Sequence, residues 1–228
     1  MIILFDFDGT LVDVKDKYYH VYCDFLKKHK AKPMGLDKFW DLKRSACDSD
    51  KILSSSGMDT GYSNEFLAHT IDKIENPENL KKDKLIKGAL TVLFELKKNH
   101  QLYLVSARRN KENLISQLKE NKIFECFEKI ITPRRFFKTV NNFENTPKSE
   151  VLTEMGLNNA VNLIVGDSGM DMLTSKKINA LSCAVNTGIR STEILKSYQP
   201  DFMIDSISDF LPIVDIVTKT IRNEKEKK

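Results

Sequence analysis

The chain has 228 residues, of which 41% are hydrophobic and 30% are charged, so its composition is that of a globular protein and not of a disordered one. This length allows one large domain, or a domain that carries an insertion, with a sizeable core. The 36 basic and 32 acidic residues give a formal net charge of +4 without a basic block, which suits anionic substrates and gives no reason to expect a nucleic acid.

The first apolar segment, Ile2–Phe5, is far too short for the hydrophobic region of a signal peptide or for a membrane span. The four cysteines are scattered along the chain, without a C-x-x-C pair and without a histidine at metal-binding spacing. Such cysteines are typical of small buried side chains in a reducing compartment. We therefore expect a cytoplasmic protein without a targeting segment or a membrane partner.

Five short apolar runs predict β-strands, at residues 2–5, 102–105, 130–131, 163–165 and 181–185. Because the runs are continuous rather than alternating, they suit strands buried on both faces, as in a parallel sheet. Stripes with helical spacing separate them, one at residues 90, 93, 94 and 97 and another at 114, 115 and 118. The alternation predicts a doubly wound, Rossmann-like α/β fold, in which ligands bind at the carboxyl ends of the strands.

A helical insertion is predicted directly after the first strand. Between residues 14 and 85 the apolar side chains keep helical spacing, and no segment predicts a convincing strand. A structureless loop of this length is uncommon inside a compact domain. We therefore predict a catalytic core of residues 1–13 and 86–228, with an α-helical cap of residues 14–85.

Two acids follow the first strand, in the segment DFDGT at residues 6–10. Asp6 and Asp8 fall on the same side of an extended chain, and crowding two negative charges raises their energy unless a cation lies between them. Mg²⁺ prefers oxygen ligands and would relieve that repulsion, while Gly9 allows the sharp turn that keeps the acids together. An acidic surface turn is the alternative interpretation.

Two further motifs supply groups that bind anions. The second strand ends at Ser106 and Ala107, where a hydroxyl and free backbone N–H groups form a place for an anion, although a capping serine fits as well. Thr146 and Pro147 predict a helix start with Lys148 in its first turn. The helix dipole disfavours a cation there unless an anion lies nearby; a solvated surface lysine is the alternative.

A second pair of acids follows the fourth strand, in the segment GDSGMD at residues 166–171. Asp167 leaves the strand end, and Asp171 falls in the first turn of the next helix. Acids there complement the helix dipole but repel each other, so they indicate a bound cation or, alternatively, simple capping. All four motifs fall at strand ends or helix starts on one edge of the predicted sheet.

This order of motifs resembles the haloacid dehalogenase superfamily of phosphohydrolases. The resemblance is to the branch that carries a helical cap after the first strand, which includes phosphoglycolate phosphatases and β-phosphoglucomutases. It spans nearly the whole chain, and residues 200–210 are similar to the final strand and helix of that family.

The resemblance implies roles for the residues at the strand ends. Asp6 would be the nucleophile, and Asp8 would be the general acid and base. Ser106, Ala107 and Lys148 would hold the phosphoryl oxygens. Phosphoryl transfer needs positioning and charge neutralisation above all, and a carboxylate nucleophile divides hydrolysis into two easier steps.

The resemblance also implies a magnesium site. Asp6, the carbonyl of Asp8, Asp167 and Asp171 would organise the ion, with Asp171 either a ligand or a partner of the ligands. We therefore expect a Mg²⁺-dependent phosphatase that acts on a small phosphorylated metabolite through an aspartyl-phosphate. Phosphoglycolate, a sugar phosphate and a nucleotide are the candidate substrate types.

Three alternatives remain open. A sugar phosphomutase of the same fold would need a cap arginine that re-orients a bisphosphate; Arg44 is the candidate, although a solvated arginine is the simpler interpretation. Phosphonate cleavage would need a cap lysine that forms a Schiff base, and the sequence distinguishes none. A regulatory or binding protein without activity is the non-enzyme alternative, which the complete set of core acids disfavours.

Two basic segments are interpreted as surface features. Arg108 and Arg109 follow the predicted phosphate-binding turn and could reach a second anionic group, but exposed arginines are the simpler expectation. The run of basic and aromatic residues at 134–138 could suggest nucleic-acid contact. One such cluster is weak support, so we expect a packed edge with solvated charges there and no nucleic-acid partner.

Overall fold

A computed structural model describes residues 1–133 and 146–226, with side chains up to residue 223. The basic and aromatic run at 134–138 lies outside the described residues. None of the described helices is both long and apolar enough to cross a membrane.

Six parallel strands form the main sheet, which confirms the predicted α/β fold. In spatial order they are β5 (Lys129–Ile131), β4 (Gln101–Val105), β1 (Ile2–Phe5), β6 (Leu163–Gly166), β7 (Leu181–Val185) and β8 (Phe202–Ile204). The first strand lies in the middle, with later strands added on both sides, so the order reverses next to β1. Ligands bind at such reversal points in open α/β sheets, beyond the carboxyl ends of the strands.

The central strand β1 is apolar at all four positions, and its residues from Ile3 to Phe5 are buried on both faces of the sheet. Ile3 and Phe5 of β1 pack into the larger hydrophobic cluster, whereas Leu4 points into the cluster on the other face. All three side chains are fully buried. Each contributes about 1.5–3 kcal/mol through burial, and Phe5→Ala would cost about 3–5 kcal/mol.

Six helices of the described segments flank this sheet. They are α6 (Ala89–Leu96), α7 (Lys111–Glu120), α8 (Pro147–Glu154), α9 (Gly169–Ile178), α10 (Thr192–Ser197) and α11 (Phe210–Glu226). The final strand and helix predicted for residues 200–210 correspond to β8 and the start of α11, with a short 3₁₀ turn between them.

The predicted buried face of α6 is wrong. Leu90 and Phe94 are 37% and 43% exposed, whereas Val92 and Leu96 are buried beside Leu93. Two sets of residues in α6 fit the same helical spacing, one at 89, 92, 93 and 96 and the other at 90, 93, 94 and 97. The stripe that starts at Ala89 is apolar at all four positions and packs on the sheet, because the competing stripe ends in a lysine.

Five helices lie between the first strand and α6. They are α1 (Lys15–Lys28), α2 (Leu36–Arg44), α3 (Ser49–Ser54), α4 (Ser63–Lys73) and α5 (Pro77–Leu80). Aromatic rings form their core: Tyr22 stacks on Phe39 with ring centroids 4.6 Å apart, and both side chains are buried. Offset aromatic pairs add about 0.5–1.5 kcal/mol beyond their buried area.

A two-stranded ribbon brackets these helices. β2 (Val12–Asp13) pairs antiparallel with β3 (Lys84–Leu85), so the segment before residue 85 does contain a short strand that the sequence did not indicate. Two residues carry too little hydrophobic pattern to predict a strand. The division at residues 13/14 and 85/86 stays a prediction, and it falls beside this ribbon.

Candidate active site

Asp6 lies at the carboxyl end of β1, where the central strand leaves the sheet. Its backbone N–H still donates to the carbonyl of Val165 at 3.0 Å, which fixes the residue against β6. The next residues turn sharply through Gly9, whose φ of +81° lies in the region that favours glycine. The side chain of Asp6 is only 8% exposed, at the bottom of a cavity of about 410 Å³.

Lys148 connects the two pairs of acids. Its Nζ donates to Asp6 Oδ1 and to Asp171 Oδ1, each at 2.6 Å. The start of α8 is held by a capping box between Thr146 and Ser149, which places Lys148 in the first helical turn, as predicted. Burial opposes its charge, but Asp171 and Asp6 outweigh this and raise the pKa of Lys148. It is therefore a fixed cation beside Asp6.

Three buried acids face one another around this lysine. The carboxylates of Asp6, Asp167 and Asp171 each offer an oxygen within 4.8 Å of the others. Burial raises the pKa of Asp6 to about 7, with Asp171 adding to the shift and Lys148 opposing it. Burial, and then the charges of Asp6 and Asp171, raise the pKa of Asp167 well above its ordinary value.

This donor set fits a magnesium ion. It consists of carboxylate oxygens, the ligands that Mg²⁺ prefers, and it holds more negative charge than Lys148 alone neutralises. Asp171 also caps α9, because its Oδ2 accepts from the backbone N–H of Ser168 at 3.2 Å and from the Ser168 hydroxyl at 2.6 Å. Asp171 Oδ2 therefore caps α9 while Oδ1 accepts from Lys148, and the role of Asp171 at a metal stays a prediction.

Ser106 and Ala107 line the same cavity as Asp6 and Lys148. Ser106 leaves the end of β4 with its N–H donating to the carbonyl of Ile131 at 3.1 Å, and it is 1% exposed. The structure thus brings every residue predicted for the site to one edge of the sheet. Six of the predicted residues line this cavity, namely Asp6, Asp8, Ser106, Ala107, Lys148 and Asp167. Asp171 is fully buried, does not line the cavity within the described part of the chain, and is connected to it through Lys148.

Asp8 is held by two cations that the sequence did not assign to the site. Arg108 donates from Nε and Nη2 to the two oxygens of Asp8, both at 2.7 Å, and Lys17 Nζ donates to Oδ1 at 2.8 Å. Burial opposes ionisation of Asp8, but the charges of Arg108 and Lys17 outweigh it and hold its pKa well below the ordinary value. The expectation that Arg108 is exposed is wrong, since the residue is 4% exposed.

A loop between β7 and α10 forms another part of the site that the sequence analysis missed. The N–H of Ile189 donates to Asp167 Oδ2 at 2.6 Å, and Thr187 donates its hydroxyl to the carbonyl of Gly9 at 2.7 Å. The sequence did contain a signal for this loop, because the fifth predicted strand, now β7, is followed by Gly188. The four motifs identified from the sequence did not include it. This loop orients Asp167 and ties the first turn to the end of β7.

Helix α2 contacts the same loop through Arg44. Its Nη2 donates to the carbonyl oxygens of Asn186 and Arg190, at 2.9 and 3.1 Å, and the N–H of Ser191 donates to the carbonyl of Arg44 at 2.9 Å. Arg44 does not line the cavity within the described part of the chain. The guanidinium therefore joins α2 to the core and does not point at a substrate.

A second contact between the helices and the core lies at the cavity rim. Glu75 accepts hydrogen bonds from the backbone N–H groups of Arg109, at 3.1 Å, and Asn110, at 2.8 Å. Tyr18 of α1 and Ile74 line the cavity beside it. The helical segment thus covers the strand ends from two sides.

Comparison with known proteins identifies relatives along the full length of the chain. A family model described as haloacid dehalogenase-like hydrolase matches residues 3–185. Pyrophosphatase PpaX of Bacillus cereus AH820 is 23% identical over 231 residues, which cover 96% of this chain and 98% of that protein. Pyrophosphatase PpaX of Oceanobacillus iheyensis is 24% identical over 228 residues, which cover 93% and 95%.

Solved structures share the fold at lower sequence identity. A haloacid dehalogenase-like family protein of Streptococcus pneumoniae superposes with a TM-score of 0.71 and 17% identity, covering 93% of this chain and 97% of that one. A predicted phosphoglycolate phosphatase of Haemophilus somnus 129PT has a TM-score of 0.68 and 18% identity, with the same coverage. At such identities the likeness establishes the fold alone.

Proposed function

Because this chain belongs to the haloacid dehalogenase-like hydrolases, we propose that it is a phosphatase that transfers phosphate from a small metabolite to Asp6 and then to water. The observation that supports this most strongly is the contact of Lys148 with Asp6 in one cavity that Ser106 also lines. A nucleophile, a fixed cation and a hydroxyl then line the same cavity, as phosphoryl transfer requires.

In the first step, a carboxylate oxygen of Asp6 attacks phosphorus and the ester P–O bond breaks. The bonding electron pair stays on the leaving oxygen, which takes a proton from Asp8. Lys148 and Ser106 bind the phosphoryl oxygens and stabilise the charge that spreads over them in the transition state. The products are the free alcohol and an aspartyl-phosphate.

In the second step, Asp8 takes a proton from a water molecule as that water attacks phosphorus. The bond between phosphorus and the Asp6 oxygen breaks, inorganic phosphate leaves, and the carboxylate of Asp6 is restored. The low pKa of Asp8 in the resting structure suits a base that stays ionised. To act as the acid in the first step, Asp8 must hold a proton, so its contacts with Arg108 and Lys17 have to loosen in the substrate complex.

The residues present would hold Mg²⁺ through Asp6, Asp167, Asp171 and the carbonyl of Asp8. When bound, the ion would neutralise charge and so allow an anionic carboxylate to meet an anionic phosphate. Asp171 would also keep Lys148 in place, since one of its oxygens accepts from that ammonium.

The substrate that we propose is small. A cavity of about 410 Å³ that is covered by helices leaves room for a compact phosphorylated metabolite and not for a folded phosphoprotein. Relatives named as pyrophosphatases and a fold neighbour named as a phosphoglycolate phosphatase agree with a substrate of this size.

Hydrolysis is favoured over sugar phosphomutation by the position of Arg44. The mutase hypothesis needs that arginine to reach a bisphosphate in the cavity, whereas its guanidinium donates to two core carbonyl groups.

Phosphate release from a panel of small phosphorylated metabolites, with Mg²⁺ and with chelator, tests the proposal. We expect release that requires the metal. Absence of release from every compound in the presence of Mg²⁺ would contradict it.

A further inference from the structure

Two buried cations meet at the carboxylate of Asp8. Lys17 comes from helix α1 and Arg108 from the loop after β4, and their side chains are 3% and 4% exposed. Both residues line the same cavity as Asp6. Two full positive charges at one wall of a substrate cavity are costly to bury unless anions neutralise them.

The carboxylate of Asp83 accepts hydrogen bonds from both cations. Asp83 Oδ2 accepts from Lys17 Nζ at 2.8 Å, from Arg108 Nη2 at 3.1 Å and from Gln117 Nε2 at 2.9 Å. The side chain of Asp83 is fully buried, and the residue does not line the cavity within the described part of the chain. Asp83 therefore fixes the two cations, while Asp8 is their partner on the cavity side.

One donor of this pair lacks an acceptor. Arg108 Nη1 is buried without a hydrogen-bond partner among the described residues, although Nε and Nη2 are both bonded. A buried guanidinium N–H without an acceptor is unfavourable, and native structures rarely retain one without a ligand or water to satisfy it. The unpaired donor belongs to a side chain that lines the cavity.

The contacts of these cations place them near the leaving group of the proposed substrate. Asp6, Ser106 and Lys148 surround the phosphate that is transferred, and Asp8 adjoins the oxygen that leaves. Lys17 and Arg108 bond to Asp8, so they lie next to the group that is proposed to protonate the leaving oxygen.

We propose that Lys17 and Arg108 form a second anion-binding position, which takes an anionic group on the leaving part of the substrate. This inference rests on the proposed function and names its substrate class. The substrate is a phosphate ester or anhydride whose leaving group carries its own carboxylate or phosphate within a few bonds of the broken bond. Phosphate esters whose leaving group carries no second anion are expected to bind more weakly but still to react.

Binding of matched phosphonates, which are not hydrolysed, tests the second position without turnover. Calorimetry at one fixed concentration of free Mg²⁺ compares 3-phosphonopropionate with propylphosphonate, and methylenediphosphonate with ethylphosphonate. Charge-assisted hydrogen bonds predict that the compound with the second anionic group binds about 10- to 100-fold more tightly than its partner in at least one pair. The pair that shows the preference tells whether the natural anion is a carboxylate or a phosphate.

Variants assign the preference to these residues. Arg108→Met removes the guanidinium and is expected to abolish the preference. Because the preference is the ratio of two affinities within one variant, a general effect of the lost contact with Asp8 cancels from it. Arg109→Met removes the same charge at the next position, outside this network, and is expected to keep the preference. If circular dichroism shows that Arg108→Met does not fold, Lys17→Met takes its place.

The outcomes separate the two proposals. Equal affinity of the unchanged protein for both members of both pairs overturns the second anion position, as does a preference that survives in both Arg108→Met and Lys17→Met. A preference that depends on Arg108, in a protein that releases no phosphate from any compound, overturns the proposed hydrolysis but supports the anion position.

Discussion

Gly188 packs directly against the carboxylate of Asp167, so closely that a Cβ at position 188 would overlap Asp167 Oδ2. The same oxygen accepts the N–H of Ile189, so the loop after β7 both shapes and orients this acid. The absence of a side chain at Gly188 is therefore a requirement of the acid cluster and not of the turn itself.

Gly188→Ala is expected to displace Asp167 and weaken the binding of Mg²⁺. The increase in thermal midpoint that Mg²⁺ causes reports this, because a ligand that binds only the folded state stabilises it more when it binds more tightly. Gly35→Ala is the matched control, since nothing lies within 4 Å of a Cβ at that position. An undiminished shift in Gly188→Ala would show that the loop does not control the acid.

Asp8→Asn is expected to lower kcat by about 10²–10⁴-fold, the range for loss of a general acid and base. The loss should be larger for alkyl phosphates than for p-nitrophenyl phosphate, whose leaving group needs no proton. Steady-state phosphate release from both kinds of ester measures the difference. Full activity of Asp8→Asn toward an alkyl phosphate would rule out the proton-transfer role.

Arg44→Met is expected to loosen the contact between α2 and the loop at residues 186–191. Loss of hydrogen bonds from a charged group to two carbonyl oxygens should cost about 1–3 kcal/mol of unfolding free energy and speed amide hydrogen exchange in that loop. Lys38→Met, at an exposed position on the same helix, is the control. Complete loss of turnover with unchanged exchange would instead support a role for Arg44 at the substrate.

Lys43 makes stability depend on pH at alkaline values. Burial, and then the charge of Arg190, lower the pKa of Lys43 from 10.5 to about 8. Between these values the unfolded chain binds the proton and the folded chain does not, so the stability contributed by this group rises as pH increases from 8 to 10.5.

The Lys43→Met variant isolates that contribution. The unfolding free energy of the unchanged protein minus that of the variant is expected to increase across this pH window, as measured by urea unfolding. A difference that falls as pH rises would contradict the shift. Lys38→Met again controls for loss of a lysine from α2.

The sequence predicted the acids, hydroxyl and lysine of the site because each directly follows an apolar strand or begins a helix. Local patterns of this kind are visible in one sequence, and parallel strands bring their ends together in any doubly wound sheet. The fold could be predicted for the same reason, from continuous apolar runs that alternate with helical stripes.

The site residues that the sequence did not reveal contact partners that are far away along the chain. Lys17, Asp83 and Arg108 meet although up to 91 positions separate them, and nothing in their neighbourhoods marks a partner. Leu90 and Phe94 were misplaced because two stripes satisfied one helical spacing, and only packing on the sheet decides between them.

Acid-quenched peptide mass spectrometry after incubation with Mg²⁺ and p-nitrophenyl phosphate tests phosphoryl transfer to Asp6 most directly. Asp8→Asn slows release of the intermediate, so this variant is expected to carry a phosphoryl group on the peptide that contains Asp6. The double variant Asp6→Asn/Asp8→Asn should carry none, and Asp6→Asn alone should lose at least about 10³-fold in phosphate release. Undiminished release by a folded Asp6→Asn protein, without a phosphorylated peptide in Asp8→Asn, would contradict the assignment of Asp6 as the nucleophile.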